Sequence, residues 1–411
     1  MNAIHKKHVS FVINENRVSI ENIPLFRAFT DEKITIVQRF LQTYEHYMAT
    51  PLYRLDRLAK QLELAEIRVK DESFRFHLNA FKAVGGVYAM AKHIATKLNE
   101  PIEQLSFEYL QSEEVRRRVG DVTFITATDG NHGRGVAWAA KALGYRAVVY
   151  MPKGSSIYRL NAIKAEGADA YIADFNYDDC VRYCEQLAKE HDWIILQDTA
   201  WEGYEDIPIW IMQGYAAIAK EITAQLPQSQ PPTHIFLQAG VGSFASAIAA
   251  YFVQYYAKTP PQIFVVEPNK ADCYYQSFQA NDAQMHFVTG DMDTIMAGLA
   301  CGEPNQQAYQ LLQSCATGAF SCDDKIAALG MRIYGNPVQD DPHITSGESG
   351  AVTLGLIYYL RKLANDPVLS ETLQLNEQSR VLLINTEGDT DPVHYQQVVW
   401  EGTYGFSEED V

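Results

Sequence analysis

Basic charge is scarce in this chain: 34 Lys and Arg stand against 51 Asp and Glu in 411 residues, a formal net charge of −17. Such a surface excludes nucleic acid as the main partner, because a phosphate backbone needs cations to displace its counterions. It argues equally against an anionic membrane surface. The acidity itself reads as solubility rather than as steering of a cationic substrate. Long apolar runs are missing too. No stretch approaches the ~20 residues that span a bilayer, and the opening MNAIHKKHVSFVINENRVSI lacks the apolar centre of a secretion signal. The expected location is the cytosol, where the six cysteines default to reduced thiols. None forms a Cys-x-x-Cys pair, so neither structural zinc nor another metal is expected. Cys273 and Cys301 bracket a loop-rich segment, where two inert thiols are expected in preference to a pair that oxidises together.

What is present is an ordinary globular composition, 47% hydrophobic and 21% charged with 25 Gly and 16 Pro, in a chain long enough for two lobes. Short β-branched runs at 123–127, 146–151, 170–173, 193–197, 234–238, 262–266 and 381–385 predict strands. Helical patterns lie between them at 133–143, 158–166, 178–190, 209–225 and 243–256. Apolar strands separated by helices imply parallel βαβ units and an α/β fold. Pro227–Pro232, PQSQPP, reads as a surface loop. Residues 270–345 resist assignment; a long irregular segment in a compact domain is often functional, and here it would shape the site entrance or a subunit contact.

Four segments carry candidate chemistry, each where an α/β sheet keeps its ligands, at strand ends. In SFRFHLNAFKAVGGVY, Lys82 enters a helix within an apolar, aromatic stretch. Burial favours a neutral amine able to attack an aldehyde, although any lysine taken alone is a surface lysine first. TATDGNHGRG follows the strand VTFITA and opens a helix, so its backbone N–H groups suit a carboxylate and Asn131 offers an amide to a phenolic oxygen. Read plainly, it is a βα turn rich in Gly and Asn. QAGVGSFA brings glycines and a helix start to a phosphate. The same loop fits Gly-x-Gly-x-x-Ala, with Glu267 ending the next strand where a ribose-binding acid belongs, so a nicotinamide-dependent oxidoreductase stands as a rival. The rival leaves the lysine and asparagine segments without roles. In NTEGDTDP, the Thr386 hydroxyl can face a ring nitrogen.

Together, from Phe74 to Pro392, the four segments resemble the fold-type II pyridoxal-phosphate enzymes, the family of serine and threonine dehydratases and tryptophan synthase β. Within it, ATDGNHGRGVAWAAKALG, QDTAWEGYEDIPIWIMQGY, GDMDTIMAGLACGEP and NTEGDTDP look like the diaminopropionate ammonia-lyases. The resemblance implies Lys82 as the Schiff-base lysine, Asn131 at the phenolic oxygen of pyridoxal 5′-phosphate, Gly240, Val241, Gly242 and Ser243 as the phosphate cradle, and Thr386 at the pyridine nitrogen. Relatives often carry a more glycine-rich cradle. Asp129 departs from the dehydratases, which commonly have serine there. In the diaminopropionate lyases that position is an aspartate base, and a second aspartate corresponds to Asp198.

The implied reaction is loss of a β-substituent from a small amino acid, giving pyruvate and ammonia. The D- and L-isomers present their Cα protons to opposite ring faces, and the resemblance implies Asp129 for the D-isomer and Asp198 for the L-isomer. Without it, Asp129 is a turn residue and Asp198 a helix cap. The smaller lobe is expected at 85–207 and the larger at 1–84 with 208–411, in a homodimer. A D-serine or threonine dehydratase, and a catalytically silent binding protein, remain beside this reading.

Overall fold

The computed structural model describes residues 3–128, 130–364 and 366–407. Four short strands come first: β1 (Ala3–His5), β2 (Val9–Ile13), β3 (Leu52–Arg54) and β4 (Glu66–Asp71). Four more, β5 (Thr123–Ala127), β6 (Arg146–Met151), β7 (Asp169–Ile172) and β8 (Ile194–Ile195), form a separate parallel sheet in the order β7-β6-β5-β8. Then β9 (His234–Gln238), β10 (Gln262–Pro268), β11 (Gly318–Cys322) and β12 (Arg380–Asn385) join the first four. The resulting sheet runs β1-β2-β11-β10-β9-β12-β4-β3, parallel from β11 to β4 and antiparallel at both margins.

The central strands read as unbroken apolar runs because both their faces are covered. In β9, HIFLQ, Ile235 and Leu237 enter one core with the helices Ala83–Leu98, Asp206–Gln225 and Ser243–Tyr255. Phe236 points the other way, into a second core with Phe264 and Phe320. That alternation is the two-residue period of a strand. Because His234 pairs with Val381 and Ile235 with Leu382, β9 and β12 end side by side, and the loops after them meet.

The expected strands at 123–127, 146–151 and 234–238 keep those bounds, and β10 and β12 are longer than expected. The strand expected at 193–197 shrinks to Ile194–Ile195. Beyond it the Gln197 side chain replaces the ladder, its Oε1 accepting from Ala127 N at 3.0 Å and Thr126 Oγ1 at 2.9 Å. PQSQPP is a loop between a helix and β9, exposed over residues 227–230, as expected. Residues 270–345 need correcting. They contain the helices Cys273–Ala280, Gln306–Cys315 and Asp324–Gly335 as well as β11, and the irregular stretches are 281–305, broken by a short turn at Ala297–Leu299, and 336–345. Among the described residues, no helix is long and apolar enough to cross a membrane.

Candidate active site

The loops at the strand ends form a cavity lined by Lys82, Asn131, Asp198, Gly240–Ser243 and Thr386, so the candidate residues that lie among the described ones converge. Asp129 lies outside the described residues.

Lys82 stands at the N-terminal edge of the helix Ala83–Leu98. The chain reaches it from β4 through a folded-back loop in which Phe76, His77 and Asn79 adopt left-handed φ of 49°, 59° and 60°. Phe81 N donates to Thr386 O at 3.1 Å, tying this loop to the end of β12. The lysine side chain keeps 17% exposure and sets Nζ 2.5 Å from Asp198 Oδ2. Tyr215 OH donates to the same oxygen at 3.3 Å, and His132 Nδ1 lies 3.9 Å away. Burial pushes the Asp198 carboxyl up, but the Lys82 and His132 charges and the hydrogen bonds from Lys82 and Tyr215 outweigh it, holding the group at about 2. Asp198 is stitched to the opposite wall, where its backbone carbonyl accepts from Ser243 Oγ at 2.5 Å.

Asn131 opens the helix Asn131–Leu143, and its Nδ2 donates to Glu387 Oε2 at 2.5 Å. Glu387 also accepts from Ser349 N at 3.1 Å. Two of the amides, Gly130 N in the turn and Gly133 N in the first turn of the helix, are taken by Thr128 Oγ1 at 2.9 Å each, which leaves fewer donors for a carboxylate than the sequence suggests. At the end of β9, Gln238 Nε2 donates to Ile384 O at 2.9 Å and to Thr386 Oγ1 at 3.0 Å. The carbonyl partner fixes which end of the amide is nitrogen. The reading from sequence missed Gln238, Glu387, His132 and Tyr215. All four sit inside segments already quoted, Gln238 in QAGVGSFA, Glu387 in NTEGDTDP, His132 in TATDGNHGRG and Tyr215 in QDTAWEGYEDIPIWIMQGY, where they passed for flanking residues.

The rival dinucleotide reading fails at Glu267. That carboxylate is fully buried and accepts from Tyr274 N at 2.9 Å and Tyr275 N at 2.8 Å, capping the helix Cys273–Ala280 away from the cavity. Cys273 and Cys301 are buried thiols, and Cys273 Sγ donates to Gly302 O at 2.9 Å.

A family profile described as pyridoxal-phosphate dependent enzyme matches residues 44–386. The diaminopropionate ammonia-lyase of Salmonella typhimurium is 50% identical, over 89% of this chain and 91% of its own. A holo crystal structure of the Escherichia coli diaminopropionate ammonia-lyase superposes with a TM-score of 0.90 at 46% identity, over 98% of this chain and 99% of that one. Another, in complex with D-serine, gives 0.89 at 46% identity, over 96% and 98%. The chain belongs to the pyridoxal-phosphate-dependent enzymes, in the branch of the diaminopropionate ammonia-lyases.

A pyridoxal-phosphate enzyme of fold type II asks for an amine, an anion cradle and a partner for a pyridine nitrogen, and the residues present fit all three. Gly242, at φ 94°, tolerates no Cβ, which would overlap the Tyr274 hydroxyl. A Cβ on Gly240 would lie 3.1 Å from Leu299 Cα, so the loop is packed from behind and open in front. Ser243 then starts a 13-residue helix whose first N–H groups favour an anion. Thr386 Oγ1 already accepts from Gln238, so its own proton remains to be donated, which suits an unprotonated ring nitrogen.

Proposed function

We propose that the chain eliminates ammonia from 2,3-diaminopropionate, which with one water yields pyruvate and two ammonia. One contact carries the reading: an amine and a carboxylate base, Lys82 Nζ and Asp198 Oδ2, meet at 2.5 Å inside a cavity walled by an anion cradle. Half identity to an enzyme of that name, over most of both chains, supports the substrate.

When bound, the cofactor supplies an aldehyde for an amine and a conjugated ring that takes up the electrons left by a departing Cα proton. Lys82 holds it. Gly240, Val241, Gly242 and Ser243 cradle its phosphate, Asn131 faces the phenolic oxygen, and Thr386 donates to the ring nitrogen without handing over a proton. The start of the helix Asn131–Leu143 receives the substrate carboxylate. Asp198 takes the Cα proton of the L-isomer and Asp129 that of the D-isomer. Lys82, where its nitrogen is not holding the cofactor, would carry the proton that the β-nitrogen needs in order to leave. The D-serine held by the Escherichia coli relative favours one secondary reading, dehydration of D-serine in the same site.

We infer as well a larger lobe of residues 1–84 with 208–411, a smaller one of 85–207, a homodimer as the working unit and a cytosolic setting. The two-sheet division supports the lobes. Light scattering that reports a single chain would remove the dimer.

The testing experiment compares the purified protein with three variants. Lys82→Ala loses the visible absorbance of bound cofactor and all turnover together. Asp129→Asn loses mainly D-isomer turnover and Asp198→Asn mainly L-isomer turnover. Ammonia per pyruvate is two for the diamino acid and one for a hydroxy amino acid. A colourless protein that stays colourless with added pyridoxal phosphate sinks the proposal.

A further inference from the structure

The helices Ala83–Leu98 and Asp206–Gln225 cross with their backbones nearly touching. A Cβ on Gly214 would lie 2.6 Å from both Gly85 Cα and Val84 O, and one on Gly85 would lie 2.5 Å from the Tyr215 ring. The glycine pair therefore serves close approach, and the approach delivers Tyr215, fully buried, from the second helix to the foot of the first, where Lys82 stands. There the Tyr215 hydroxyl donates to Asp198 Oδ2 at 3.3 Å. Lys82 Nζ lies 5.8 Å from the centre of the Tyr215 ring and 5.4 Å from that of Phe81. The Tyr215 ring is itself held by Phe81 and Phe244, with centroids 4.8 Å and 6.4 Å away.

We propose that Tyr215 is a positioning residue for the Lys82–Asp198 pair: it aims the Asp198 carboxylate at the substrate and holds it ionised once the Lys82 nitrogen is engaged elsewhere. The inference rests on the reading of Asp198 as the base for the L-isomer. What counts for Asp198 is which groups remain around Oδ2 during turnover. Lys82 is the strongest partner of that oxygen in the structure, and its nitrogen is also committed twice in the cycle, to the cofactor and to the proton meant for the β-nitrogen. A donor that stays in place through the cycle must then keep the carboxylate oriented, and a hydroxyl on a rigid, buried ring fixed by a glycine crossing loses little entropy in doing so. Burial makes such a bond count, because water does not compete for the oxygen.

Tyr215→Phe tests this in the holoenzyme. Phenylalanine keeps the ring packing against Phe81 and Phe244, and the thermal midpoint of the variant should stay within a few degrees of the parent. The expected result is roughly a tenfold loss of kcat for the L-isomer with KM little changed, and D-isomer turnover untouched. The acidic limb of the L-isomer kcat profile should move to higher pH by about half a unit or more, since a lost donor makes the carboxylate easier to protonate. Solvent exchange of the L-isomer Cα proton should slow in step. Asp198→Asn runs beside it. If Asp198→Asn spares L-isomer turnover, the base assignment falls and takes this inference with it. If Asp198→Asn abolishes that turnover while Tyr215→Phe leaves the acidic limb in place, or lowers both isomers equally, the base assignment stands and the role of Tyr215 is overturned.

Discussion

At the scale of single residues, the site shows how one amide settles the proton of a neighbour. Gln238 is buried between β9 and β12, and its Nε2 reaches Ile384 O and Thr386 Oγ1. By donating to Thr386 it leaves that hydroxyl as a donor facing the cavity. Gln238→Leu removes the constraint, and a lost buried hydrogen bond of roughly 0.5–1.5 kcal/mol should raise the dissociation constant for pyridoxal phosphate about three- to tenfold and alter its visible spectrum. Titration of the apoprotein checks this; unchanged affinity and spectrum would detach Gln238 from the cofactor. The residues proposed to hold the cofactor stood out in the sequence, all but Lys82 because they follow a strand within a short, glycine-marked loop. Their supporting partners did not. Glu387 and Tyr215 matter through contacts with Asn131 and Asp198, which lie 256 and 17 positions away in the chain.

Elements tell the same story in β4. Its sequence, EIRVKD, has the look of an exposed, charged stretch, yet all six residues are buried. Two of the charges pair within the strand, Arg68 Nη2 lying 2.6 Å from Glu66 Oε1, and the others meet partners from elsewhere: Lys70 Nζ lies 2.7 Å from Glu221 Oε2, and Asp71 accepts from Asn385 Nδ2 at 2.8 Å. Glu221 also receives Arg75 at 2.8 Å and Tyr47 at 2.5 Å, so a single buried carboxylate ties the helix Asp206–Gln225 to the loop that leads to Lys82. Burial pushes that carboxyl up, and the two cations bring it back below its ordinary range. Glu221→Gln keeps the shape and strands the cations, which should cost roughly 3–5 kcal/mol of unfolding free energy. Urea denaturation decides the matter, and a loss under about 1 kcal/mol would make the network incidental. No hydrophobic pattern could announce β4, whereas β5, β6 and β9 lie between apolar layers and announced themselves.

For the whole molecule, acid is the informative perturbation. A carboxyl whose folded pKa is depressed contributes stability that is present above its unfolded value, near 3.9, and lost as pH falls through the folded one. Asp198, at about 2, contributes in that way, and Glu221 shifts in the same direction. The cofactor-free protein should therefore lose stability progressively below about pH 4, with about 2 kcal/mol of the loss tied to Asp198. The Asp198→Asn variant should show a shallower decline over the same window. Parallel acid profiles for parent and variant would mean that the pair does not contribute.

Sequence alone settled the α/β class and the cofactor family, and pointed to the loops proposed to receive the cofactor. Those properties follow from short-range pattern: strand period, glycine placement and the residue types that chemistry requires at a strand end. Tertiary structure decided which polar groups support the site, how β4 and the 270–345 segment are built, and that Glu267 caps a helix instead of binding a ribose. Each of these depends on which distant partner a buried charge or amide meets, and local pattern does not encode that distance.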